Sequence, residues 1–159
     1  MSRTIRILVS AAIFTIAAAA ALNAQATDPA TGTWVLNVAK SKYRSGPPLK
    51  SQTRTYTPTP NGYRFTADAT NAAGEKAHSD FTAVFDDKFH AVAGNPGVDS
   101  LMIQRVDAYT VETSQKKGPT VVTFSTRKVS KDGKTLTITA NGFNAEGKLY
   151  SNVEVFDRK

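Results

Sequence analysis

From Gly32 onward, short stretches alternate apolar and polar residues with a period of two, and turn-forming residues interrupt them about every ten positions. That period gives a strand one buried face and one wet face. A series of such strands predicts an all-β fold, an antiparallel meander of about eight to ten strands. The meander closes into a barrel or folds as a two-sheet clamshell, since both obey the same alternation. No segment after residue 26 carries a helical period.

The turns are the punctuation. Asn61-Gly62 is the strongest hairpin signal, because both residues tolerate the positive φ of a type I′ turn. Asn71-Ala72-Ala73-Gly74, Asp86-Asp87-Lys88, Asn95-Pro96-Gly97, Asp107-Ala108, Lys117-Gly118, Asp132-Gly133 and Asn144-Ala145-Glu146-Gly147 continue the series. Between them, Tyr63, Phe65, Ala67 and Ala69 share a face, as do Leu136, Ile138 and Ala140. Near the end, Leu149, Ser151, Val153 and Val155 oppose Tyr150, Asn152, Glu154 and Phe156. The stretch Ser51 to Thr57 has almost no apolar face, which suits an edge or a rim strand. Lys40 to Lys50 reads as a long irregular connection.

The first residues follow a different rule. Arg3 and Arg6 precede an apolar run from Ile7 to Leu22, and Ala24-Gln25-Ala26 follows as a small-x-small cleavage signature. Residues 1–26 are expected to be a cleaved secretory signal helix, leaving one β-domain over 27–159 in the periplasm or outside the cell. The chain has no cysteine, so strand pairing and core packing must hold that domain without disulfides.

The overall charge of +7 is unevenly spread. Between Thr27 and Ala67 the only acid is Asp28, against Lys40, Lys42, Arg44, Lys50, Arg54 and Arg64, whereas acids and bases balance from Asp68 onward. Lys40, Lys42, Arg44, Lys50 and Arg54 form a candidate basic surface patch. Such a patch is either an ordinary solvated loop or one that gathers anionic ligands or contacts an anionic envelope surface. Nucleic acid is not expected as a partner, because the chain reads as exported and aromatic residues are sparse among these cations.

Gly32-Thr33-Trp34-Val35-Leu36-Asn37, at the head of a barrel-sized chain, resembles the Gly-x-Trp signature of the calycin superfamily, the lipocalins and fatty-acid-binding proteins. The resemblance extends to small secreted bacterial proteins with a lipocalin-like domain. It implies that Gly32 opens the first strand and that Trp34 closes the barrel floor under a basic side chain, Arg158 or Lys159. It also implies a small apolar or amphipathic ligand. Fatty-acid-binding proteins end in Arg-x-Tyr, which grips the ligand carboxylate. The matching positions here are Glu154, Val155 and Phe156, so that clamp is missing and an anion there is expected to be repelled.

The chain lacks the sequence motifs of the common catalytic sites. There is no Gly-x-Ser-x-Gly elbow, no phosphate-cradling glycine loop and no His-Glu-x-x-His. Of the two histidines, His78 shares a strand face with Asp80, a pair without a third metal ligand, and His90 suits a barrel rim. The reading is therefore a monomeric, non-enzymatic protein with no catalytic residue, metal or cofactor. Its candidate cavity lining is Tyr63, Phe65, Phe81, Phe85, Phe124 and Phe143. The rival reading is an envelope structural or interaction protein whose barrel is solid and whose basic segment contacts a polyanion or a protein partner.

Overall fold

The computed structural model describes residues 28–44, 48–93, 97–143 and 147–159. The expected signal helix, the Gly46-Pro47 step of the basic connection, and parts of the expected turns at 95–97 and 144–147 lie outside the described residues.

Among the described residues, one antiparallel sheet contains eleven strands. They are β1 (Gly32–Leu36), β2 (Lys42–Tyr43), β3 (Leu49–Thr59), β4 (Gly62–Asn71), β5 (Lys76–Val84), β6 (His90–Ala91), β7 (Ser100–Arg105), β8 (Thr110–Lys117), β9 (Thr120–Val129), β10 (Thr135–Phe143) and β11 (Leu149–Arg158). One 3-10 turn, Val38–Lys40, is capped by the Asn37 side chain. The order across the sheet is β5-β4-β3-β1-β11-β10-β9-β8-β7-β6, with β2 adding to β11. The sheet is therefore one continuous roll and not two separate leaves. Its ends nearly meet: Cα atoms of β5 and β7 approach within 8 Å, yet no ladder joins them among the described residues.

Two local expectations change. The stretch Ser51–Thr57 belongs to β3, which is paired on both sides, with β1 and β4, and so is neither edge nor rim. Its inner face is polar because polar partners await it inside the barrel. At the β3–β4 hairpin, Thr59 pairs with Gly62, so the two-residue loop is Pro60-Asn61. Proline holds φ negative, which excludes a type I′ turn there. Gly62 serves the packing instead: a Cβ at this position would overlap the Ala83 carbonyl oxygen.

The alternation of each strand delivers one row of side chains to the interior. Trp34, Leu36, Val111, Val129, Leu136 and Phe156 are buried together with Leu101 and Ile103. Each such aliphatic or aromatic side chain contributes about 1.5 to 3 kcal/mol by leaving water. Asp28 to Thr31 crosses beneath this cluster, and the Trp34 Nε1–H donates to the Ala30 carbonyl at 2.7 Å. Gly32 enters β1 at φ 115°, a conformation that disfavours any other residue. The Arg158 guanidinium lies 4.1 Å from the Trp34 ring centroid. Its three nitrogens donate to the carbonyls of Gly133, Thr31 and Pro29. The expected cation over the floor tryptophan is therefore Arg158.

Candidate functional site

Above this floor the interior turns polar. β3 sends Gln52, Arg54 and Tyr56 inward, and β9 sends Thr123, Ser125 and Arg127, all in the same period-two sense as the buried Val129. Arg54 and Arg127 line a cavity of about 250 Å³ with Tyr56, Tyr63, Phe65 and Phe81. Leu101, Ile103, Ile138 and Tyr150 complete its apolar and aromatic wall.

Both arginines are almost wholly enclosed, with side chains 8% and 7% exposed. Each is cushioned by rings: Arg54 sits 4.1 Å from the Phe156 centroid, and Arg127 sits 4.7 Å from Tyr56 and 5.0 Å from Tyr63. A guanidinium over an aromatic face gains electrostatic attraction that grows as water is excluded. Charge partners come from opposite ends of the sequence. Arg127 Nη2 donates to Asp28 at 2.6 Å, where Arg105 also arrives at 3.4 Å. Arg54 Nη2 faces Glu154 at 3.5 Å and donates to Gln52 at 2.5 Å, while Nη1 reaches Tyr56 Oη at 3.3 Å.

These partners do not exhaust the donors. Among the described residues, Arg127 Nε, Arg127 Nη1 and Arg54 Nε are buried without a hydrogen-bond partner, as is Asn152 Oδ1. A buried, unmatched N–H on a cation is expensive, on the order of 1 to 3 kcal/mol or more. Around the site, three guanidiniums (Arg54, Arg105, Arg127) meet two carboxylates, Asp28 and Glu154. Burial pushes the Glu154 carboxyl above its ordinary value, opposed by Arg54. Burial also pushes the Tyr43 phenol up to about 12 and Tyr63 higher still, so both keep their protons. The two enclosed guanidiniums, Arg54 and Arg127, are thus matched in number by Asp28 and Glu154, and the partly exposed Arg105 adds a third cation at the edge of the site.

The candidate residues separate into three groups. Tyr63, Phe65 and Phe81 stand in the cavity wall. Phe85 packs edge-on to Tyr63 at 5.7 Å and lies under Arg105, beside the core and outside that wall. Phe124 and Phe143 are a correction: they are 43% and 51% exposed and lie on the outer face. Alternation is the reason, because Thr123 and Ser125 point inward around Phe124, and Ile138 and Ala140 set Phe143 on the opposite side.

The basic patch divides in the same way. Arg54 leaves it for the interior, the second correction, because its register row places it opposite inward-facing Trp34. Lys40 pairs with Asp157 at 3.3 Å, and Lys42, Arg44 and Lys50 stay exposed. The face of β11 that turns inward is Tyr150, Asn152, Glu154 and Phe156. Glu154 stands in the interior beside Arg54, so the anion-repelling end expected from the last strand is offset by cations from β3 and β9. His78 bonds Asp68 and His90 bonds Asp86, and no cluster of three or more potential metal ligands occurs among the described residues.

No family model and no curated protein matches the chain by sequence. Solved structures do match its fold. A Schistosoma mansoni fatty acid binding protein in complex with arachidonic acid superposes with TM-score 0.51 at 12% identity, covering 82% of this chain and 96% of that one. A zebrafish ileal bile acid-binding protein complexed with cholic acid gives TM-score 0.48 at 11% identity, covering 82% and 99%. The first of these likenesses shows that the chain shares the β-barrel fold of that protein.

Proposed function

We propose that this chain is an exported carrier of a small amphipathic molecule, held inside the barrel with an anionic group against Arg127 and Arg54. The observation that carries this reading is the set of unmatched N–H donors on two enclosed guanidiniums at the wall of a cavity. Donors of that kind, in a site shielded from water, bind carboxylate, sulfonate or phosphate strongly. Phe65, Phe81, Ile103 and Ile138 offer apolar surface to the rest of the molecule. The fold is shared with a protein that holds arachidonic acid, itself an anionic amphiphile, which supports the reading. Lys42, Arg44 and Lys50 on the surface raise the local concentration of such ligands. Export rests on Arg3, Arg6, the Ile7–Leu22 run and Ala24-Gln25-Ala26.

Native mass spectrometry of the protein isolated from its own cell envelope tests both parts. The expected result is a chain beginning at Thr27 that carries an acidic, solvent-extractable compound. A chain with its first 26 residues attached would overturn export. A bare chain that also fails to bind alkyl carboxylates and alkyl sulfonates in calorimetry would overturn the carrier role.

A further inference from the structure

A second cavity of about 250 Å³ lies against the first, where the roll of the sheet fails to close. Ser79 and Phe81 of β5, Leu101 of β7 and Gln115 of β8 stand in the walls of both cavities. Val92 and Val98 then cover the flank cavity from the segment between β6 and β7. Its rim polar groups are already engaged, His78 with Asp68 and Asp80 with Arg64. Across this gap no backbone ladder seals β5 to β7 among the described residues, so only side chains separate the interior from the flank.

We propose that this flank cavity seats the apolar tail of the ligand whose anionic head the arginines hold; the proposal rests on the binding function above. Three observations converge on it. The shared walls make the two cavities neighbours, so one extended molecule reaches both. The flank offers Phe81, Val92, Val98 and Leu101 but no arginine or lysine, which suits an alkyl chain and not a second anion. Each cavity alone falls below the roughly 300 Å³ at which small-molecule sites ordinarily begin, so a ligand of ordinary size needs room in both. The ligand class is thus a single-chain amphiphile, long enough to pass from the barrel centre through the β5–β7 gap.

Calorimetric titration of the wild-type protein and Ala93→Trp with octanoate and hexadecanoate tests this. Ala93 lines the flank cavity from an exposed position, so tryptophan fills the seat without disturbing the core. In the wild type, hexadecanoate is expected to bind at least about a hundredfold more tightly than octanoate, since each buried methylene adds to affinity. In Ala93→Trp that advantage is expected to fall below about tenfold, with octanoate binding unchanged. Retention of the full advantage in the variant, or an equal loss for both acids, would overturn the tail seat while leaving the binding function intact. Failure of the wild type to bind either acid would overturn the binding function itself. A second measurement is independent of folding in the variant. Hexadecanoate carrying a nitroxide at its methyl end should broaden the amide signals of Val92 and Val98 in the wild-type protein. Broadening confined to Thr123 and Tyr150 would overturn the proposal.

Discussion

Arg158, Arg127 and Arg54 each lie over an aromatic ring, and they differ in what their remaining donors do. Arg158, over Trp34, commits all three of its nitrogens to backbone carbonyls and so fastens the N-terminal segment and the β9–β10 hairpin to the floor. Arg127 and Arg54, over Tyr56 and Phe156, keep Nε and, for Arg127, Nη1 uncommitted beside a cavity. The same residue type on the same kind of ring is thus a fastener at one level and a receptor at the next. Unmatched donors, and not the presence of an arginine, mark the receptor.

The largest effect should come from breaking the floor. Trp34 is fully buried and touches the fastening arginine, so Trp34→Ala is expected to cost about 3 to 5 kcal/mol in urea denaturation. A loss below about 1 kcal/mol would show that the floor is not a packed unit. Next comes the receptor. Arg127→Met should weaken an alkyl sulfonate by about a hundredfold or more, the scale of truncating one partner of an enclosed charge pair. The matching uncharged alcohol should keep its affinity, which separates loss of the anion contact from general damage. Equal losses for sulfonate and alcohol would return Arg127 to the structural class.

Arg158→Met probes the other arm. It removes three charge-assisted hydrogen bonds and a cation–π contact at a solvent-exposed position, so about 1 to 2 kcal/mol of stability should go. Sulfonate affinity should change by no more than about twofold, because the site is remote from the cavity wall and remote changes combine additively. A tenfold loss of affinity would dissolve the distinction between fastener and receptor.

Much of the fastener was legible in the sequence and little of the receptor was. Gly32-x-Trp34 and the terminal cation carry a local logic: a positive φ at the strand entrance, a large ring, and a charge at its face. Alternation also placed Tyr63, Leu136 and Ile138 correctly as inward groups. Applied strictly, it would have put Phe143 outside, since Ile138 and Ala140 occupy the other parity of β10. Arg127 was missed because a charged residue on a strand ordinarily marks the wet face. Its signal was its parity with Val129, two residues on. Arg54 was hidden among the basic residues of its segment, and its partner Glu154 lies a hundred residues away, on a strand that only the assembled sheet brings near β3. Long-range charge pairing has no local pattern, so the polar interior could not be read from one strand at a time.

The smallest effect concerns Glu154, the carboxyl that restrains Arg54. Burial raises its pKa above the ordinary 4.5, so the folded protein takes up this proton more readily than the unfolded chain. The sign follows: wild-type stability gains from Glu154 as pH falls through the raised folded pKa, and the gain is complete once pH lies below 4.5. The surface aspartates Asp80, Asp86, Asp99 and Asp157 are lowered by their hydrogen bonds and act in the opposite sense. They are common to wild type and Glu154→Gln, so they cancel in the difference between the two. That difference, from urea melts at about pH 7.5 and about pH 4.5, should therefore move in favour of the wild type on acidification. Protonation also releases Arg54 from its carboxylate partner, so wild-type affinity for an alkyl sulfonate, which stays ionised throughout, should rise over the same interval, and that of Glu154→Gln should not. A pH-independent stability difference would mean that Glu154 titrates like a solvated carboxyl and does not restrain Arg54.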